Sequence, residues 1–147
     1  MFDHYGGVAK EVDIPVIIHD FPESFGTILS AELIARMANE IKGVDYIKLE
    51  ELPVLDKLSK IRSLANDSFG IFGGLGGEYF LEELQRGANG IMTGFAFPEV
   101  LVAIYNAYRA GDEKRAAGIF DRFIPLIRYE FQPKIGLAYR KFIYHKR

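Results

Sequence analysis

Apolar positions along the chain alternate between two textures: short runs rich in β-branched residues, and longer stretches with an apolar side chain every third or fourth position. Ile14-Pro-Val-Ile-Ile-His19 is the first short run. Its continuous apolar character predicts a strand covered on both faces, as in a parallel sheet, with Pro15 near its start, where a missing N–H is tolerated. Asp20 to Gly26 reads as a loop. Ser30 is the expected N-cap of a helix to about Ile41, with Leu33, Ile34, Met37 and Ile41 on one face and Gly43 as its stop. Val44 to Leu49 is the second strand. Val54, Leu58, Ile61 and Ala65 mark the next amphipathic helix. Ser68 to Gly73 is the third strand, followed by a helix from about Glu78 to Arg86, and Asn89 to Thr93 is the fourth. Helical stretches follow over about 98–110, 112–130 and 134–144, with Gly111-Asp112 as a stop-and-restart signal.

The order is therefore β-α four times, then two more helices. Such alternation predicts right-handed βαβ units and a parallel sheet. Four strands fit either a small doubly wound sheet or half of a barrel, since a complete (β/α)8 barrel needs eight strands and about 250 residues.

Lys48 is the most informative single residue. Alternation places Ile47 and Leu49 on one face of its strand and Tyr46, Lys48 and Glu50 on the other. If the second face is a barrel interior, burial favours the neutral amine, the form that attacks a ketone in Schiff-base chemistry. An edge-strand lysine facing water, or an ion pair with Glu50 or Glu51, accounts for the same pattern. His19 ends the first strand, where βα-barrel enzymes carry catalytic groups, and a neutral imidazole there suits general acid/base work. A hydrogen-bonded structural histidine is the plain alternative. Asp20 either orients His19 or caps the loop. Gly73-Gly-Leu-Gly-Gly77 lies between a strand and a helix, where backbone N–H groups can face an anion. It lacks the Lys-Ser/Thr of a P-loop and the dinucleotide pattern, so a tight turn explains it equally. Thr93 opens a second Gly-containing loop. Glu82, Glu83 and Arg86 read as a solvated helix face. Tyr105, Tyr108, Phe120, Phe123 and Tyr129 read as core or subunit contacts.

Composition narrows the classes. The 147 residues are one domain's worth, 49% of them hydrophobic, which is enough for a core. The net charge of −2 gives no reason to expect nucleic acid or an anionic membrane as partner. There is no cysteine, which excludes disulfides, thiolate metal sites and cysteine nucleophiles. The histidines show no metal-ligand spacing, so neither metal nor cofactor is expected. The uncharged run from Gly87 to Pro98 is too short to span a bilayer, and MFDHYGG does not resemble a signal peptide. The expectation is a soluble cytoplasmic chain.

Three segments carry a resemblance: HYGGVAKEVDIPVIIHDFPESFG, IKLEE and GANGIMTGFAFPEVLVAIYNAYRAGD. Together they resemble the dihydrodipicolinate synthase / N-acetylneuraminate lyase family of class I, Schiff-base-forming lyases on (β/α)8 barrels. The resemblance covers essentially the whole chain but only the family's C-terminal half: the end of the fourth helix, strands five to eight, and the C-terminal helices. It implies an α/β fold, a partial TIM barrel over residues 1–111 with a helical extension over 112–147. It also implies Lys48 as the amine that condenses with pyruvate or a 2-keto sugar acid. Gly73, Gly74 and Thr93 would border the substrate pocket and Glu50 would orient the amine. His19 stands where members carry the proton-shuttling tyrosine of Tyr-Asn-x-Pro, and Ser24 where synthases carry an arginine that reads a dicarboxylic substrate. The family's Gly-Thr-Thr-Gly-Glu-type carboxylate loop belongs to the half not represented. The implied partners are a small 2-keto acid and either further copies of the chain or an N-terminal half-barrel. Two other readings stay open: a non-catalytic barrel remnant kept as a binding or assembly module, and a doubly wound domain whose Gly73–Gly77 loop binds phosphate.

Overall fold

The computed structural model describes residues 1–147. Helix α1 (Phe2–Glu11) precedes strand β1 (Val16–Asp20), a one-turn helix α2 (Pro22–Phe25) and α3 (Ala31–Glu40). Then come β2 (Val44–Leu49), α4 (Val54–Leu64), β3 (Gly70–Gly73), a 3-10 turn (Leu75–Gly77), α5 (Phe80–Gln85) and β4 (Gly90–Ile91). Three helices close the chain: α6 (Pro98–Arg109), α7 (Glu113–Glu130) and α8 (Gly136–Lys146).

Every expected strand and long helix is present. Ser30 Oγ accepts from Leu33 N–H at 3.1 Å, and Asp112 Oδ1 from Arg115 N–H at 3.0 Å, so both caps act as their residue types dictate. Helix α1 was not marked by the apolar pattern, because it has no buried residue and only Phe2, Tyr5 and Ala9 lean on the core. Strand β4 is shorter than the expected span. Its pairing ends at Gly73–Ile91, beyond which only Met92 N–H still reaches Gly73 O.

All strands are parallel and their spatial order is their chain order, β1-β2-β3-β4. A doubly wound sheet reverses strand order at a switch point where its ligand sits. This sheet has no reversal, which removes the phosphate-binding doubly wound reading. The two faces differ sharply. Ile18, Ile47, Leu49 and Ile71 point to one side and are fully buried with Ile34 and Met37 of α3 and Leu58 and Ile61 of α4. On the other side, Ile17, His19, Tyr46, Lys48 and Phe72 are half-buried or exposed. A second core joins Phe80, Leu81 and Leu84 of α5 to Val100, Leu101 and Ile104 of α6 and Ala116, Phe120 and Ile127 of α7. Tyr105, Tyr108 and Phe123 border this core, while Tyr129 is exposed and stacks on Tyr139 at 5.1 Å. No helix is long and apolar enough to cross a membrane.

Candidate active site

The sheet register builds the site. Lys48 stands at the middle of three adjacent strands, opposite His19 on β1 and Phe72 on β3. Period-two alternation turns Tyr46, Lys48 and Glu50 to the face the helices leave open. Glu50 lies just past β2, where its N–H still bonds Asp20 O at 2.9 Å. Its carboxylate is the hub: Oε2 meets Lys48 Nζ at 2.8 Å and His19 Nε2 at 2.7 Å, while Oε1 accepts Leu75 N–H at 3.0 Å. Burial opposes ionisation of Glu50, but the hydrogen bonds from Lys48, His19 and Leu75 outweigh it and hold its pKa below the usual carboxylate range. An ionised Glu50 can only accept, so His19 donates to it from Nε2, and Nδ1 makes no hydrogen bond. Phe21 stacks on the imidazole at 5.9 Å and Phe25 meets it edge-on at 5.2 Å.

The glycine loop is shaped by carboxylates. A Cβ on Gly74 would run into the Glu50 carboxylate, and one on Gly76 into the Phe131 ring. Leu75 between them is held at φ 45°, a region most L-residues avoid, and this points its N–H at Glu50. Gly73 faces the opposite side of the sheet, where the Glu83 carboxylate occupies the space of its missing Cβ. Thr93 lies beyond β4 with its side chain half-buried, and no hydrogen bond joins it to the cluster. The structure thus brings Lys48, His19, Glu50 and Gly74 together, whereas Gly73, expected at the pocket, faces the helix side because strand neighbours alternate, and Thr93 makes no hydrogen bond to the cluster.

Two further expectations are corrected. Asp20 does not orient His19. It points to the helix side, 1% exposed, and binds Lys57 Nζ at 2.6 Å, and Lys57 also pairs with Glu51. Burial raises the pKa of Asp20 against the opposing pull of Lys57. Glu83 does not lie on a solvated face. It is fully buried and neither oxygen has a hydrogen-bond partner. Burial, with Glu82 and Glu50 nearby, pushes its pKa up to about 8. Its place three residues after Phe80 was the available sign of an inward position.

The profile of the Dihydrodipicolinate synthetase family matches residues 1–139. The chain belongs to this family. Among curated relatives, the L-2-keto-3-deoxyarabonate dehydratase of Azospirillum brasilense is 37% identical over 131 residues, 88% of this chain and 42% of that protein. The probable 2-dehydro-3-deoxy-D-pentonate aldolase YjhH of Escherichia coli is 29% identical over 151 residues, 88% of this chain and 48% of its own length. The crystal structure of dihydrodipicolinate synthase from Rhodopseudomonas palustris superposes with a TM-score of 0.87 at 29% identity, over 100% of this chain and 52% of that one. The chain therefore spans about half the length of the family members it matches.

Proposed function

We propose that the chain is the C-terminal half of a (β/α)8 Schiff-base lyase that dehydrates or cleaves a 2-keto-3-deoxy sugar acid, with pyruvate as the minimal keto acid. The observation that carries this reading is the Lys48–Glu50–His19 cluster on the open sheet face. The choice of substrate class is supported by two relatives, the Azospirillum L-2-keto-3-deoxyarabonate dehydratase and the probable Escherichia coli 2-dehydro-3-deoxy-D-pentonate aldolase, beside others that are 4-hydroxy-tetrahydrodipicolinate synthases.

The Lys48 amine, once deprotonated, attacks the C2 keto carbon. The carbonyl oxygen takes up protons and leaves as water, giving an iminium. Glu50 Oε2 touches both Lys48 Nζ and His19 Nε2, so it holds the amine in place and links it to the imidazole. Loss of a C3 proton then gives an enamine, and the C4 hydroxyl departs as water in a dehydratase. His19 Nδ1 supplies a base and acid for these transfers, in the place of the family's tyrosine. Gly74, which backs onto Glu50, borders the face on which the keto acid lies, and Thr93 in the loop after β4 is the further candidate for contact with it.

The sheet's unpaired edges support pairing with an N-terminal half-barrel. Ile17 on β1 is 43% exposed, and an apolar hollow lined by Phe72, Ile91, Leu101 and Tyr105 lies beside β4. Higher assembly into homo-oligomers and a cytoplasmic setting complete the proposal. A remnant used for binding or assembly is the second reading, favoured by the fact that the Glu50 ion pair satisfies Lys48 without any substrate. The deciding experiment mixes the chain with the N-terminal half of the Azospirillum dehydratase and assays turnover of 2-keto-3-deoxy-L-arabonate. Turnover abolished by Lys48→Ala supports the enzyme, whereas an assembled barrel with no turnover supports the remnant.

A further inference from the structure

The last turn of α7 is fastened to both glycine-containing loops at the end of the sheet. Glu130, 1% exposed, accepts Ala96 N–H at 3.0 Å in the loop after β4 and holds Arg140 Nε at 2.8 Å. Ile127 is fully buried, and a Cβ on Gly77 in the loop after β3 would meet it at 3.8 Å. Phe131 follows as the C-cap of the helix, its N–H on Ile127 O at 3.0 Å. With its backbone fixed in this way, Phe131 lies directly on Gly76, where a Cβ would overlap both Cβ and Cγ of the phenylalanine. Only a glycine lets the ring come this close.

The turn under the ring is strained. Leu75, Gly76 and Gly77 have φ of 45°, 68° and 96°. Glycines take this region freely, but a leucine stays there only where its surroundings hold it. Two supports are present. The Leu75 side chain is buried in the core that the sheet forms with α3 and α4, and Phe131 packs against the same core while covering Gly76. What the strained turn delivers is one hydrogen bond, from Leu75 N–H to Glu50 Oε1 at 3.0 Å. A backbone N–H on a carboxylate fixes its direction as well as favouring its charge. Oε2 is thereby left for Lys48 Nζ at 2.8 Å and His19 Nε2 at 2.7 Å. A continuous line of contacts runs from the end of α7, through Gly76, Leu75 and Glu50, to the amine.

We propose that Phe131 is a positioning residue for the site: its ring locks the Leu75 turn, and the turn aims the Glu50 carboxylate at Lys48. This rests on the proposed function for what Lys48 does, but the hold on Glu50 is measurable without a reaction. Burial opposes the charge on Glu50, and the donors Lys48, His19 and Leu75 N–H outweigh it, with Glu83 the titratable group across the strand end. Loss of the Leu75 donor therefore raises the Glu50 titration midpoint. The test follows the 13C carboxyl shift of Glu50 against pH, and the rate of borohydride trapping with pyruvate, in the full chain. Phe131→Ala removes the ring, and Gly76→Ala puts a methyl group where it lies. Each is expected to raise the midpoint and to slow trapping about tenfold, the size of one hydrogen bond to a charged group. Phe131→Leu keeps Cβ and Cγ against Gly76 and should hold wild-type values. Phe123→Ala takes an equal ring from the same helix at the second core, and should lose stability with midpoint and trapping unmoved. An unmoved midpoint or an undiminished trapping rate in both Phe131→Ala and Gly76→Ala, or an equal rise in Phe123→Ala, overturns the positioning role. A wild-type chain that traps no pyruvate, while the midpoint still rises in Phe131→Ala, removes the Schiff-base reading and supports the hold on Glu50.

Discussion

Glu50 Oε2, just past the end of β2, sits 2.8 Å from Nζ of Lys48, two residues earlier in the chain and on the same face. The carboxylate fixes the amine, and the depressed pKa of Glu50 records how firmly its donors hold it charged. Glu50→Gln keeps the shape and removes the charge. It is expected to slow Schiff-base formation with pyruvate by roughly tenfold or more, measured as the rate of borohydride trapping. A group with a depressed folded pKa stabilises above its unfolded value, near 4.3 for Glu, and loses that contribution as pH falls through the folded value. The wild-type advantage in Tm over Glu50→Gln should therefore be present at pH 6 and shrink as the solution is acidified below about pH 4.

Glu83 follows the opposite sign. Its folded pKa is raised to about 8, so the fold binds a proton that the unfolded chain releases near pH 4.3. Stability is then undiminished below the unfolded pKa and falls as pH rises toward 8. Glu83→Gln mimics the neutral acid at every pH. It should match wild type at pH 4 and exceed it by roughly 5 kcal/mol above pH 8, in chemical denaturation across that range. A pH-independent difference would show that Glu83 is ionised in the fold.

Gly73 and Gly74 back onto carboxylates on opposite sides of one strand end. Gly73→Ala is expected to cost about 1–3 kcal/mol of stability by overpacking against Glu83, and Glu83→Ala in the same chain should recover most of it. Gly74→Ala instead displaces Glu50, so its main effect is expected on trapping at Lys48. Unfolding curves and trapping rates on the same preparations separate the two outcomes.

Lys57 bridges Asp20 and Glu51 from the first turn of α4. Lys57→Met leaves the buried Asp20 without its cation, at an expected cost of about 3–5 kcal/mol, whereas Lys57→Met with Asp20→Asn should restore much of that stability. Equal destabilisation by the single and double changes would contradict the pairing.

The sequence carried the sheet and its site unevenly. Lys48 was legible because a lysine inside a strand breaks the apolar rule, and alternation alone sets Glu50 beside it. The His19–Glu50 contact was not legible, because it depends on the register of β1 against β2, which the chain order does not specify. Of the two readings of Asp20, orienting His19 fails because successive strand residues point to opposite faces, so adjacency in the chain is not contact. Glu83 was hidden by the polar neighbours Glu82 and Arg86. The Arg140–Glu130 pair joins helix to helix across a turn, and no local pattern marks it.

The central claim is that the Lys48 amine forms an imine with a 2-keto acid. The most direct measurement is peptide mass mapping after borohydride treatment with pyruvate, on the chain alone and paired with an N-terminal half-barrel. The account predicts one reduced pyruvyl adduct, located at Lys48 and absent in Lys48→Ala. Recovery of unmodified Lys48 from an assembled barrel, or adducts spread over surface lysines, would contradict it.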